Sequence, residues 1–325
     1  AAAVPATAPV PLVSVIVCTS GKRLPALRTC LASLRTVRDP HYEIVVVDNS
    51  ATGGLAADEL VRAGCRVVHE PRRGLDRARN RGIRETAGEL VAFVDDDCEV
   101  DPDWLAHVRA AFTDDAVGCV TGRVRPAALE RPSERWFEAW FSFDRGGTPR
   151  RFAAGDPGNF LAFPGALGTG CNMTLRRSVL RDVGPFDERI GAGTAVGGGD
   201  DIDMFARVLD AGHHVAYTPD ALVHHHHRTT IPALRWQFFY YGVSFSALHL
   251  RFLLRRPTSR AAIARHAIVR IREHHVRGIR ARLRGHSEVP LRMIAIDLAG
   301  IAWGPFAYAG ASAAAALRRV GGRPR

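Results

Sequence analysis

Three acids stand side by side at 95–97, directly after the apolar run Leu90, Val91, Ala92, Phe93 and Val94. Adjacent carboxylates repel one another, and a divalent cation relieves that repulsion. Oxygen donors without a sulfur cluster suit Mg²⁺ or Mn²⁺, ions that usually take substrate phosphates as further ligands. The plainer alternative is an acidic turn that ends a strand. A second acidic pair, Asp200-Asp201, follows a glycine-rich stretch at 191–199, with Asp203 close behind. A carboxylate at a helix start beside a flexible loop can act as a general base toward a bound hydroxyl. It can equally serve as a cap, with Asp200 the better cap and Asp201 the better base. Asp203 and Asp210 read as surface or structural acids. Four histidines, 224–227, end a further apolar run. Imidazole is a good ligand for Mn²⁺ and similar ions, but alternate strand residues face opposite ways, so at most two can share one side. A solvated surface run is the other reading of this tract.

Three nucleotide and metal motifs are absent. Gly21-Lys22 resembles the end of a phosphate loop, but Ile16 stands at the upstream glycine position and Arg23 at the Ser/Thr position. Neither Gly168-Thr169-Gly170 nor Gly191-Ala192-Gly193 completes GxGxxG, since Met173 and Val196 occupy the third glycine position. No HExxH occurs. Walker-type NTPases, dinucleotide oxidoreductases and HExxH zinc proteases are therefore disfavoured.

Positioning these groups is the task of the surrounding elements. The pattern predicts strands at 12–18, 43–47, 66–69 and 90–94, alternating with helices at 24–34, 55–63 and 76–86. Strands apolar on both faces and separated by helices imply a parallel sheet covered on two sides. Ligands of such sheets bind beyond the strand carboxyl ends, which directs attention to Thr19, Asp48 and the acids at 95–97. A helix at 104–112, a strand at 117–124, an aromatic segment at 136–143 and a glycine-rich region follow. Those glycines, at 155, 158, 165, 168, 170 and in the 191–199 loop, which is expected to be mobile, imply tight turns and close backbone approach. A helix at 200–210 and two short strands at 214–217 and 221–224 complete this part. From 232 onward the periodicity is helical, with breaks expected at Pro257, Pro290 and Pro305.

A chain of 325 residues with 46% apolar content can bury a full core. Its net charge of +11 is concentrated: residues 251–284 hold eleven arginines and one acid, Glu273, nearly the whole excess. The rest of the chain is close to neutral, so a general nucleic-acid binder is excluded, and the arginine block carries no recognised module or stacking platform. Six cysteines without a CxxC pair imply a reduced, cytoplasmic compartment. Residues 1–11 read as a disordered Ala/Pro-rich leader with no secretory signal. Arginines mixed with Leu253, Leu254, Ile263, Ile268, Val269 and Ile279 suit a basic amphipathic helix on an anionic bilayer. Residues 293–317 carry Asp297 as their only charge and are long enough to span. Surface association at the inner face of the cell membrane, a true span, and soluble or oligomeric packing are the three readings, and the oligomeric state stays open.

In order along the chain, VSVIVCTSGKRLPALRTCLASL, EIVVVDNS, GLDRARNRG, LVAFVDDDCEVDPDWL, GTGCNMTLRRSVLRDVGPFDERI, GGGDDIDMFARVL and YTPDALVHHHHR resemble a family 2 glycosyltransferase with the GT-A fold. The resemblance covers about two thirds of the chain. It implies an α/β nucleotide-sugar-binding domain with a mixed, mainly parallel sheet over 12–230, followed by a helical, basic and apolar C-terminal region, 231–325. At the matching positions it implies that Thr19 and Asp48 hold the base and ribose, with Arg23 close by. Gly74, Arg77, Arg79 and Asn80 would line the nucleotide side. Asp95, Asp96 and Asp97 would form the DxD element, with Asp95 and Asp96 toward the nucleotide sugar and Asp95, Asp97 and His225 as metal ligands. Asp97 is the foremost direct ligand, and His227 is the runner-up to His225. Gly170, Asn172 and Asp200 would shape the sugar and acceptor pocket, Arg228 would clamp the leaving group, and Asp201 would be the catalytic base. The family's Glu-Asp pair reads Asp-Asp here. The expected cofactor is Mn²⁺ or Mg²⁺, and the expected donor is a UDP-, GDP- or dTDP-linked sugar. The expected acceptor is a hydroxyl on a lipid-linked or envelope glycan, with inversion at the anomeric carbon. The rival readings are a sugar nucleotidyltransferase, whose GxGxR-like loop CTSGKR lacks, and a non-catalytic membrane-surface scaffold.

Overall fold

The structure, a computed structural model, describes residues 10–55, 64–153 and 164–321. The helix expected over 55–63 and the glycines at 155 and 158 fall outside these residues, apart from Leu55, as does all but the end of the leader. Val13–Thr19 forms β1, Leu24–Leu34 α1, Tyr42–Asp48 β2, Arg66–His69 β3, Leu75–Glu85 α2, and Leu90–Asp95 β4. Then come Cys98–Val100 (β5), Trp104–Ala111 (α3), Val117–Pro126 (β6), Pro132–Trp140 (α4), Arg150–Phe152 (β7), Asn172–Arg176 (β8), Arg177–Val183 (α5), Asp200–Asp210 (α6) and His214–His225 (β9). The C-terminal helices are Ile231–Arg255 (α7), Arg260–Ile271 (α8), Arg277–Leu283 (α9) and Leu291–Gly321 (α10). A π-helical turn, Arg272–Val276, joins α8 to α9.

Among the described residues all nine strands form one mixed sheet, ordered β3-β2-β1-β4-β8-β6-β9-β5, with β7 on β9. Strands β3, β2, β1 and β4 run parallel, the inner three buried on both faces as their apolar sequences lead one to expect and β3 a partly exposed edge, and β8 enters antiparallel beside β4. The two short strands expected at 214–224 are one strand. Its pairing with β6 slips between Gly122↔Thr218 and Arg123↔Leu222, and the residues left out there include Pro219 and Asp220, whose turn-like character makes the run read as interrupted.

Alternation along β1 supplies both faces of the sheet. Val13, Val15 and Val17 pack with Leu27 and Leu31 of α1 and Trp104 of α3, whereas Ile16 packs with Ala78 of α2 and Phe205 of α6. This two-sided cover leaves the carboxyl ends of β1, β2 and β4 open at one edge.

The C-terminal helices pack on this edge. Arg251 of α7 belongs to the arginine block, yet it is buried. Its Nε donates to Asp203 Oδ1 at 2.6 Å and its Nη2 to Oδ2 at 3.0 Å, and it also pairs with Asp187. Asp203 is therefore a structural acid that ties α7 to α6. Pro305 lies inside α10 and does not break it. One backbone hydrogen bond is lost there, and packing against α7 along the helix compensates. Gly242 of α7 and Gly300 of α10 allow this closeness: a Cβ on Gly300 would overlap the Phe239 carbonyl oxygen, and one on Gly242 the Asp297 carbonyl oxygen.

Candidate active site

The acid run divides by position, because Asp95 ends β4 and Asp96 and Asp97 make the tight turn into β5. Asp96 is buried, accepts the Thr19 hydroxyl at 2.6 Å and pairs with Arg23 at 2.8 Å. Asp97 is also buried. Arg23 binds its Oδ2 directly, and Arg228 Nη1 and His225 Nε2 each lie 3.5 Å from the same oxygen. Burial works against its charge, but His225, Arg23 and Arg228 outweigh it and hold the carboxyl down at about 2. Asp95 opens to the cleft. Burial and the neighbouring acids Asp97, Asp96 and Asp200 push it up to about 7, against the pull of Arg79. Three consecutive aspartates thus hold three different electrostatic states.

The histidine tract shows the strand alternation in full. His225 and His227 are buried on one face with their Nδ1 atoms 3.0 Å apart, while His226 is exposed and contacts Glu99. His227 Nε2 meets Glu138 at 3.1 Å, so of the pair it is His225 that faces Asp97. Burial lowers His225 to about 4, keeping the imidazole neutral and able to ligate.

Asp200 and Asp201 open α6 after Gly199, whose φ of +83° reverses the chain. Asp200 makes no side-chain cap. It pairs instead with Arg79 of α2, a fully buried guanidinium. The Nη2 atom of Arg79 lies 3.7 Å from Asp95 Oδ1 and donates to the Gly170 carbonyl at 3.4 Å, and Asp76 lies 3.7 Å from Nη1. The guanidinium also sits over the Phe93 and Phe186 rings at 5.6 and 5.3 Å. One arginine therefore spans the two acidic clusters. The Asp201 carboxylate accepts the Gly170 N–H and the Ile202 N–H, each at 2.8 Å. Burial and the Asp200 charge raise Asp201 to about 6, with Arg79 and the two N–H groups opposing. A Cβ on Gly170 would stand 2.9 Å from Arg79 Nη2 and 3.0 Å from Asp201 Cβ, so only glycine keeps this junction closed.

These groups line a cavity of about 1200 Å³, which also takes in Thr19, Arg23, Gly74, Arg79, Asp95, Asp96, Asp97, Gly170, Asp200, Asp201, His225 and Arg228. Four expected site residues do not line it. Asp48 is buried and accepts the Ser50 and Leu55 N–H groups, shaping the loop after β2. Arg77 pairs with Glu188 at 3.2 Å. Asn80 exchanges hydrogen bonds with the Phe186 backbone. Asn172 accepts the Trp104 indole N–H and donates to the Arg123 and Ala221 carbonyls, joining β8 to β6 and β9. Each side chain is already spent on the scaffold.

Sequence reasoning missed Asn49, whose side chain donates to the Glu70 and Arg72 carbonyls and accepts from Gly74 N, setting the cleft rim. It also missed the wall supplied by α7. Trp236, Tyr240, Ser244, Leu248 and Phe252 recur every fourth residue, with Gln237, Tyr241, Phe245 and His249 beside them, and all face the cavity. The spacing predicts a helix here, and only the fold turns this face of it toward the cleft.

Among the described residues Asp97, Cys98 and His225 bring possible ligand atoms within 4.8 Å of one another. Burial pushes the Cys98 thiol well above its ordinary range, which leaves a carboxylate and an imidazole as the usable donors. That pair fits a divalent cation of the Mn²⁺ or Mg²⁺ kind, and Asp97 is held ionised for it. Asp95 is not part of that group and faces Arg79.

A mixed α/β sheet with acids at the carboxyl end of its fourth strand, an open cleft, and a second acidic pair across it defines a glycosyltransferase of the GT-A architecture. The model of glycosyl transferase family 2 matches residues 14–184, and the chain belongs to that family. It is 31% identical over 229 residues to the pre-mycofactocin glycosyltransferase of Mycobacterium tuberculosis, covering 69% of this chain and 45% of that one. It is 26% identical over 245 residues to the glycosyltransferase AglE of Haloferax volcanii, covering 71% and 72%. The chain thus spans a little under half the length of the first of these relatives. In fold it is similar to a mannosyltransferase of Pyrobaculum calidifontis solved with GDP-Man and Mn²⁺, with TM-score 0.51 and 21% identity over 97% of this chain and 76% of that one.

Proposed function

We propose that the chain transfers a sugar from a nucleoside diphosphate sugar to an acceptor hydroxyl, in a metal-dependent reaction that inverts the anomeric centre. The observation that carries this reading is the Arg79 bridge, which draws Asp200 and Asp95 from distant segments onto one cleft. In this reading Thr19, Arg23, Gly74 and Asn49 border the nucleotide half. Asp97 and His225 would hold the cation, which when bound neutralises charge on the diphosphate. Arg228, beside Asp97, adds positive charge where the leaving group departs. Asp201 takes the acceptor proton on a carboxylate oxygen fixed by a backbone N–H, and its raised pKa suits a base that works near neutrality. The sugar is then displaced in line, from the side opposite the leaving diphosphate. The first structural relative was solved with GDP-Man and Mn²⁺, which supports the donor class and the metal for this chain by analogy of fold.

The acceptor side lies under α7 and the C-terminal helices, and we place it at a lipid surface. Between Ala295 and Leu317 every exposed residue of α10 is uncharged, including Leu298, Trp303, Phe306 and Leu317. The opposite side of α10 buries Asp297, Gly300 and Gly304 against α7, so this helix lies along the molecule as an interfacial element. The reading is tested by calorimetry with UDP, GDP and dTDP plus Mn²⁺, followed by a donor-sugar panel scored for nucleoside diphosphate release. Metal-dependent binding of one nucleotide and release of its diphosphate are expected. No nucleotide binding under any metal condition would overturn the assignment.

A further inference from the structure

The histidine that faces Asp97 is itself held from behind, by a chain of hydrogen bonds that leads away from the cleft into α4. His225 and His227 meet Nδ1 to Nδ1 at 3.0 Å, so one ring must donate and the other accept. The far nitrogen of His227, Nε2, meets Glu138 Oε2 at 3.1 Å, and the other oxygen of the same carboxylate accepts the Ser142 hydroxyl. We propose that Glu138 and His227 are positioning residues for the metal site: Glu138 sets the tautomer of His227, and His227 sets that of His225, so that His225 Nε2 keeps its lone pair toward Asp97. This inference deepens the metal-dependent reading and rests on it.

The direction of each bond follows from the donor chemistry, with one proton on each ring. An ionised carboxylate accepts and cannot donate, so His227 carries its proton on Nε2. Its Nδ1 is then an acceptor, and the proton between the two rings belongs to His225 Nδ1. That leaves His225 Nε2 without a hydrogen, 3.5 Å from Asp97 Oδ2. An imidazole whose second nitrogen is engaged in this way has one tautomer and one ring orientation, and it is a more basic ligand. Reversing the chain would put a hydrogen on His225 Nε2 and block it. Water has little access to these rings: His225 and His227 are 6% and 5% exposed, with the Phe143 ring 5.1 Å from His225 and the Phe137 ring 4.5 Å from His227. Ser142 is the one non-glycine among the described residues with a positive φ, +30°. Such strain persists where the surroundings over-determine it, and here the Ser142 hydroxyl both donates to Glu138 and accepts the Asp144 N–H at 3.1 Å.

The test uses the full chain with isotope-labelled histidine rings, first metal-free at about pH 8, where long-range proton–nitrogen NMR correlations report which ring nitrogen carries the proton. The expected result is His225 protonated on Nδ1 and His227 on Nε2, the two signals identified by their loss in His225→Gln and His227→Phe. Mn²⁺ is then titrated, alone and with UDP or GDP, and read by the paramagnetic resonance signal of the free ion. Glu138→Leu removes the acceptor, so His225 should show mixed tautomers and Mn²⁺ binding should weaken roughly tenfold or more. His227→Phe keeps the aromatic packing and should weaken binding as much. Glu138→Gln retains a carbonyl acceptor and should restore both the single tautomer and near-parental binding. Weaker binding in Glu138→Leu with the tautomer of His225 unchanged would mark a merely structural role and overturn the proposal. It is equally overturned if the parent carries the His225 proton on Nε2 or both ring protons on His227, or if Glu138→Leu and His227→Phe bind Mn²⁺ as the parent does. Each of those results leaves the glycosyltransferase reading standing as long as the parent binds Mn²⁺. A parent that binds no Mn²⁺ under any of these conditions fails the metal-dependent reading itself, and the positioning role with it.

Discussion

At the scale of single residues, the roles assigned to Asp201 and Arg79 make separate demands. Asp201→Asn keeps the hydrogen-bonded shape but removes the base, so turnover should fall by roughly 10² to 10⁴ while nucleotide binding persists. The parent carboxyl titrates near 6 and is active when ionised. Its rate should therefore fall as pH drops through about 6, and the residual rate of the variant should lack that limb. A pH profile of nucleoside diphosphate release checks both points. Arg79→Ala leaves Asp200 buried without its partner, which costs about 3–5 kcal/mol in comparable sites. Urea unfolding measures it, and a loss below about 1 kcal/mol would remove Arg79 as the bridge. The acids were legible in the sequence because they are neighbours within their runs. The bridge was not, since Arg79 and Asp200 are 121 positions apart and only the fold brings them together. Asp48, Arg77, Asn80 and Asn172 show the converse: the right residue types at the expected positions, with their hydrogen bonds already committed to backbone and scaffold.

At the scale of elements, periodicity placed the strands and helices well wherever one face was consistently buried, as in β1, α1, α2 and α6. It failed where tertiary packing overrides a local signal. Pro305 reads as a break, yet α10 continues through it because α7 lies alongside for most of its length. The glycines in these two helices are better guides than the proline. Gly300→Val would drive a branched side chain into the Phe239 carbonyl and separate α10 from α7. Overpacking of this kind costs about 1–3 kcal/mol and should lower the melting temperature by several degrees in a calorimetric scan. Because α7 supplies one wall of the cleft, the same variant should weaken acceptor-dependent turnover more than nucleotide binding. A variant with parental melting temperature would mean that the two helices do not pack this closely.

At the scale of the whole molecule, the excess positive charge and the apolar surface are both concentrated in the C-terminal third. The charge is not uniform in function: Arg251 is an interior strut and Arg270 lines the cleft, while Arg260, Arg265, Arg272, Arg277, Arg280, Arg282 and Arg284 are exposed. Exposed basic residues contribute about 1 kcal/mol each near an anionic surface, and the charge-free stripe of α10 extends about 33 Å at the helical rise. On the lipid-surface reading proposed above, either feature alone would give weak, reversible attachment, and the two together would give stable docking. Flotation with vesicles containing phosphatidylglycerol should therefore recover the chain at low salt, with less recovery at high salt or on phosphatidylcholine alone. Trp303 and Phe306 are 55% and 68% exposed, so replacing both with serine removes little internal packing but a large part of the lipid contact. Full insertion of these two side chains is worth about 1.5–3 kcal/mol each, which predicts at least a tenfold loss of partitioning with the melting temperature unchanged. Equal flotation of parent and double variant would show that the arginines alone hold the chain at the bilayer. No flotation of the parent would remove the membrane from the reading, leaving the apolar stripe to be covered by another protein surface.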